Sequence, residues 1–221
     1  MPPSPTAVPP PSDRVRLRRK PGRGHYDRET IHAILDASPI CHVGVVVDGA
    51  PIVTPTFQWR EGEHVYIHGA RTNRTLNVAD GAEICVTVSL LDGLVLGRSA
   101  MNHSANFRSV VILGRATRID DPEAKRARLK AFIESLYPGR WDTLRPITDT
   151  ELKATAILSL PLDEASAKLR EGGPMDDEAD YALPIWAGVL PVRMTPGTPE
   201  PDPRNLADVS VPDHVTGFRI G

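Results

Sequence analysis

Two cysteines, Cys41 and Cys85, are all that the 221 residues contain, and each sits in an apolar, β-like run. That is where buried, reduced thiols are found, and no CxxC or similar spacing suggests a bound metal. Neither sign of charge is in excess. The net charge of -2 and pI near 6.4 argue against a general binder of nucleic acid or anionic membranes. No apolar run reaches the roughly 20 residues of a membrane-spanning helix, and the N-terminus lacks the apolar core of a secretion signal, so the cytoplasm is the expected location. Several enzyme signatures are missing as well: GxxxxGK, GxGxxG after a strand, HExxH and GxSxG.

Proline, by contrast, is plentiful and uneven. Of 22 prolines, six fall in residues 1–11 and six in residues 191–221. Both ends are poor in periodic apolar residues, so residues 1–21 and 196–221 are expected to be extended or disordered arms around one domain at 22–195. The basic run RVRLRRKPGR (residues 14–23) has the look of a nucleic-acid tail, but such runs are more often solvated linkers.

Between the arms, short amphipathic stretches alternate with turns. Asp27 is placed to cap a helix from residue 28, with Ile31, Ile34 and Leu35 on one face and Pro39 as its stop. Residues 40–47 read as a strand, Asp48-Gly49 as a two-residue hairpin turn, and residues 50–60 as the returning strand, which Pro51 and Pro55 confine to an edge or bulge. Further strands are expected at 84–91, closed by a turn at Asp92-Gly93, and at 107–119, where Gly114 marks a kink or close approach. Residues 94–99 fit strand and helix equally. The best helix starts at Asp121-Pro122 and buries Ala127, Leu129, Phe132, Ile133 and Leu136. A strand at 154–160, a short helix at 163–170 and a strand at 186–192 complete the series. Hairpins in succession without βαβ alternation point to a mainly β, α+β fold: a closed antiparallel barrel with flanking helices.

The central stretch is EHVYIHGARTNRTLN, residues 63–77. It opens as a strand with Val65 and Ile67 on one face and His64, Tyr66 and His68 on the other. Gly69 ends the strand, and a short helix over 72–79 follows with Asn73, Arg74 and Thr75 in its first turn. Unpaired N–H groups and partial positive charge there, beside an arginine and hydroxyls, make an anion cradle. A flat phosphorylated cofactor suits that design. His64 and His68 share a face, but without a third ligand nearby no metal site is assigned.

The segments GHYDRETIHAILD, CHVGVVVDGAPIVTP, VYIHGA, DGLVLGRS, HSANFRSVVILG, YPGRW and IWAGVLP follow in order over roughly residues 22–192. Together they resemble the flavin-nucleotide-binding branch of the pyridoxamine 5′-phosphate oxidase-like superfamily, which includes the nitroimidazole-reductase-like proteins. The resemblance implies an FMN-binding split β-barrel, usually a homodimer with two flavin sites at the subunit interface. It implies that Val53, Thr54, Pro55 and Thr56 lie along the flavin, with Tyr66, His68 and Gly69 beside its ring and ribityl chain. Asn73, Arg74 and Thr75 fall at the phosphate, though many relatives carry Ser-Arg or Lys there, so this chain keeps one basic group. Arg108 and Ser109 would complete the site from across the dimer, and Lys168 and Trp186 would close it. The implied chemistry is FMN-dependent oxidation or reduction of a small molecule, with His68 as proton donor and His103 and Arg98 orienting an anionic or carbonyl substrate. The Arg-rich C-terminal signature of a true pyridoxamine-phosphate oxidase is not recognisable. Three alternatives stay open: a non-catalytic flavin carrier, a deazaflavin protein using Arg71, Arg74 and Arg108, and a haem protein with His25, His68 or His103 as axial ligand.

Overall fold

In the computed structural model, which describes residues 8–221, the chain enters its sheet through β1 (Gly24–His25) and α1 (Arg28–Asp36). Asp27 starts α1 by accepting the Thr30 N–H at 2.8 Å, and Ile31, Ile34 and Leu35 turn inward. Strand β2 (Ile40–Val47) then folds back on β3 (Ala50–Glu61). Asp48 and Gly49 at the turn have φ of 52° and 81°, the paired left-handed geometry that matches strand twist. Next come β4 (His64–Ala70), α2 (Arg74–Ala79), β5 (Glu83–Leu96), β6 (Ser104–Arg115) and β7 (Thr117–Arg118). The last third holds α3 (Pro122–Leu136), α4 (Asp149–Ala154), β8 (Thr155–Pro161), β9 (Glu164–Arg170), β10 (Gly188–Pro191) and the single turn α5 (Asp213–Thr216).

The strands form one antiparallel sheet in the order β1-β9-β6-β5-β2-β3-β4-β8-β7, with β10 also on β5. It curls round a core of mostly aliphatic side chains that includes Val43, Val65, Val86, Ile112 and Leu158. Where β6 crosses β8, a Cβ on Gly114 would lie 3.2 Å from Leu160, so this glycine serves a close approach. The result is a split barrel. A second, aromatic-rich core of Trp59, Tyr66, Leu129, Phe132, Leu152 and Ile157 fills the space between the outside of β3–β4–β8 and α3–α4.

Two expectations are corrected, and one helix was not foreseen. Residues 163–170 are not a helix: Ala165 and Ala167 face the main core while β9 satisfies the open edge of β6. Sheet pairing overrides the helical propensity of Ala, Lys and Leu. Asp92-Gly93 is not a turn but a bulge within β5. Gly93 is needed because β10 crosses it, so that an added Cβ would sit 3.0 Å from Val189 Cγ1. Helix α4 was not expected, although Thr148 and Glu151 form a full capping box at its start.

The arms are also less free than proline content suggests. Residues 1–7 lie outside the described residues, but Arg14 bonds Glu83 at 2.6 Å and Glu164 at 2.9 Å, and Val15 is buried. At the other end, Gly221 N–H donates to Ala37 O at 3.0 Å and Phe218 packs on Tyr137. No helix among the described residues is long and apolar enough to cross a membrane.

Candidate functional site

Strand β4 carries His68 where the split barrel meets its helical cover. Its register against β8 sets His68 opposite Ile157. From the other side α3 brings Leu129, Phe132 and Ile133, and the loop after it brings Trp141, Leu144, Pro146 and Ile147. Together they enclose a cleft of about 810 Å³ whose rim carries Arg126, Arg145 and Glu151. The imidazole lies 4.6 Å from the Phe132 ring and 5.8 Å from Trp59, centroid to centroid. Its Nδ1 is buried without a hydrogen-bond partner. An unpaired buried polar atom in an apolar cleft is costly in the free chain and is the natural place for a ligand.

Burial pushes the His68 pKa down, which favours the neutral imidazole. At the rim, Arg145 grips Glu151 with Nη1–Oε2 at 3.0 Å, and this bond together with those from Thr148 pulls the carboxyl down to about 2. Arg126 donates to Ile147 O at 3.1 Å. An imidazole with a free buried nitrogen, an apolar cleft and two arginines at its mouth can ligate a metal held in a planar, carboxylate-bearing ring.

The depressed pKa has a thermodynamic signature. The unfolded chain takes up this proton before the folded one does, so the contribution of His68 is present above about pH 6.5 and is lost as pH falls through the folded value. Below about pH 6.5 this single group is expected to cost stability at no more than about 1.4 kcal/mol per pH unit. Urea titrations should show a flatter slope for His68→Phe. An unchanged slope would mean that His68 is protonated in the folded chain.

A groove adjoins the cleft. Residues 50–57 of β3 pair with β2, but β3 pairs with β4 only from Gln58 to Glu61, so the edge carrying Val53, Thr54, Pro55 and Thr56 is free. Thr56 Oγ1 donates to His68 O at 3.3 Å, and Thr54 Oγ1 lies 3.2 Å from Thr75 Oγ1. The edge strand, His68, Gly69, Asn73, Arg74 and Thr75 are therefore neighbours. Asn73 spends its carbonyl on capping α2, and exposed Arg74 is paired with Asp48 at 2.9 Å. Gly69 lets β4 lie against α2, since a Cβ there would meet Leu76 Cδ1 at 2.9 Å.

Other residues singled out by sequence lie elsewhere. Tyr66 is buried in the aromatic core, stacked on Trp59 with Arg128 over its ring, and does not line the groove. Arg108 forks onto Asp92 and lines a cavity of about 960 Å³ under residues 191–195. Ser109 donates to Lys168 O at 3.3 Å, and Lys168 and His103 face a third, basic cleft. Trp186 is 70% exposed, just before β10. Arg98 is taken up by the fully buried carboxylate of Asp176 at 2.9 Å and stacks on Tyr181, so it is not offered to a substrate. Sequence reasoning missed Arg126, Trp141 and Arg145. Only the Thr148–Glu151 capping signature hinted that a helix would hold this region against the sheet.

The profile of the family described as Pyridoxamine 5'-phosphate oxidase matches residues 27–169. No curated protein matches. Among solved structures, the flavocytochrome Anf3 from Azotobacter vinelandii is similar at 52% identity and a TM-score of 0.93, over 96% of this chain and 99% of that one. The FAD and haem binding protein from Mycobacterium smegmatis is similar at 36% identity and a TM-score of 0.85, over 89% and 97% of the two chains. A 5-nitroimidazole antibiotic resistance candidate from Bacteroides thetaiotaomicron, at 22% identity and a TM-score of 0.54 over 66% and 85%, shares the fold. With the profile spanning the barrel from the α1 cap to the end of β9, this chain belongs to the pyridoxamine 5′-phosphate oxidase family.

Proposed function

We propose that this chain is a redox protein that holds haem in the His68 cleft and a flavin nucleotide in the adjoining groove. The observation that carries the reading is the His68 imidazole, neutral and unpartnered at Nδ1, in an apolar cleft with arginines at the rim. Similarity to a flavocytochrome and to an FAD and haem binding protein, each over nearly the whole chain, supports it. When bound, the haem supplies one-electron chemistry and the flavin one- or two-electron chemistry, which suits an oxidoreductase acting on small molecules.

The chain's own residues bind, orient and exclude water. His68 would supply the imidazole ligand to the haem iron, and its burial favours the neutral form that such a ligand needs. Leu129, Phe132, Ile133 and Trp141 would shield a bound haem from water, and Arg126 and Arg145 would hold its carboxylates, Arg145 being paired with Glu151 in the free chain. On the flavin side, the free edge of β3 would offer backbone groups to the isoalloxazine rim, and Arg74, paired with Asp48 in the free chain, would hold the phosphate. That phosphate, expected here as part of FMN, is equally the inner phosphate of FAD, so one cradle serves either nucleotide.

The site is completed in a homodimer. The outer face of the sheet exposes Ile40, Val46, Val53, Phe57 and Leu91, an apolar row that a second copy covers. The test is an absorption spectrum of the purified protein, before and after adding hemin and flavin. A Soret band and paired flavin bands co-eluting with the protein are expected, and the mass of the extracted flavin separates FMN from FAD. No Soret band after reconstitution would overturn the haem assignment, and no flavin bands would overturn the other.

A further inference from the structure

The basic arm at residues 14–23 finds its meaning in the third cleft, about 370 Å³ in volume. Arg19, Lys20 and Arg23 line it together with Lys168 and Arg170 of β9. Met101, Phe107 and Met175 supply an apolar rim, with His103 beside them. No carboxylate lines it, and among the described residues none of the five cations enters a salt bridge.

Arg170 is the most telling. It is only 5% exposed, yet its guanidinium meets neutral groups alone: Asn106 Oδ1 and Gly172 O at Nη1, and Gly173 O at Nη2. Its Nε is buried with no partner. Burial, and then the nearby Arg23, push its pKa down, which marks a cation held where its charge is unwelcome. A buried cation without a counter-charge is strongly unfavourable unless an anion completes the site.

We infer that this cleft binds the diphosphate of a nucleoside diphosphate, with Arg19, Lys20, Arg23, Lys168 and Arg170 around the phosphates and Phe107 and the two methionines against the base. Five cations match a multiply charged diphosphate better than a single carboxylate, and guanidinium forks suit phosphate oxygens. The nucleotide is a free one: the two phosphates of a bound FAD adjoin each other, and the inner one is assigned to Arg74 in the β3 groove, which does not line this cleft. The diphosphate inference stands on side chains outside the His68 cleft and does not rest on the haem and flavin reading; only the assignment to a free nucleotide does.

Calorimetric titration of the full chain at low salt, stripped of any chromophore, tests it with ADP, inorganic pyrophosphate and adenosine. ADP and pyrophosphate are expected to bind and adenosine to give no heat. Arg23→Gln with Lys168→Gln should weaken ADP at least tenfold, with thermal melts showing that the double variant folds; Arg23→Gln alone serves if it does not. ADP binding is expected to survive loading with FMN and with FAD; its loss after FAD, but not after FMN, would mean that the cleft takes the flavin's own ADP half and would overturn the assignment to a free nucleotide. Absence of ADP and pyrophosphate binding, or equal affinity in the variants, overturns the inference. Because the readout needs no chromophore, it is separate from failure of the haem and flavin assignments.

Discussion

His68→Ala is expected to weaken haem retention about 100-fold or more, a loss read as Soret absorbance in a hemin titration. Loss of groups that merely orient a metal ligand already costs on the order of 10–100-fold, and removal of the ligand itself costs at least as much. The choice of His68 over the other candidates is physical. His25 sits at the surface 4.0 Å from Asp27, and His103 turns its Nδ1 to Ser99 O at 2.9 Å on an exposed loop. Only His68 lines an apolar cleft with a buried nitrogen left over. His103→Ala and His25→Ala should therefore leave the Soret band unchanged. Flavin binding should survive His68→Ala, because the groove uses the His68 carbonyl, which accepts from Thr56, and alanine keeps that carbonyl. An unaltered Soret band in His68→Ala would remove the imidazole from the haem site.

What the sequence disclosed and what it hid follow from the range of the interactions involved. Turn and cap chemistry is local, so the Asp48-Gly49 hairpin, the Asp27 and Asp121 caps and the edge character of the Pro51–Pro55 strand were legible. The neighbourhood of Thr54, His68 and Thr75 was implied by the family resemblance, and the structure brings the three together on consecutive elements. The His68 cleft was half legible: the strand was read, but its opposite wall comes from residues 126–155, which only tertiary packing brings over. Residues 163–170 show the same limit from the other side, since an Ala- and Lys-bearing segment becomes a strand only because β6 needs a partner. The alternation on β4 suggested a polar face of His64, Tyr66 and His68. The helical cover turns Tyr66 and His68 into an interior and leaves His64 outside.

Trp59→Ala is expected to destabilise the fold by about 3–5 kcal/mol, the cost of deleting a large buried aromatic. Trp59 sits just after β3 transfers from β2 to β4, at the point where Gln58 Nε2 holds the end of α1 by donating to Leu35 O at 2.7 Å. Its ring stacks on Tyr66 at 5.6 Å and meets Phe132 at 5.1 Å, so it joins sheet to cover. Its Nε1 donates to Glu61 at 2.9 Å, and Glu61 in turn accepts from Arg128 on α3. Truncation thus removes packing and leaves an ion pair without its third member. For a chain of this size the melting temperature should drop by roughly 6–20 °C. Trp59→Phe, which keeps most of the ring contact and loses the Nε1 bond, should cost much less. Because the damage falls on the aromatic core and not on the barrel, haem retention should fall with stability while the groove on the β3 edge still takes flavin. Urea melts and hemin titrations on the same variant separate these effects. A loss below about 1 kcal/mol would mean that α3 is held to the sheet by something other than this aromatic stack.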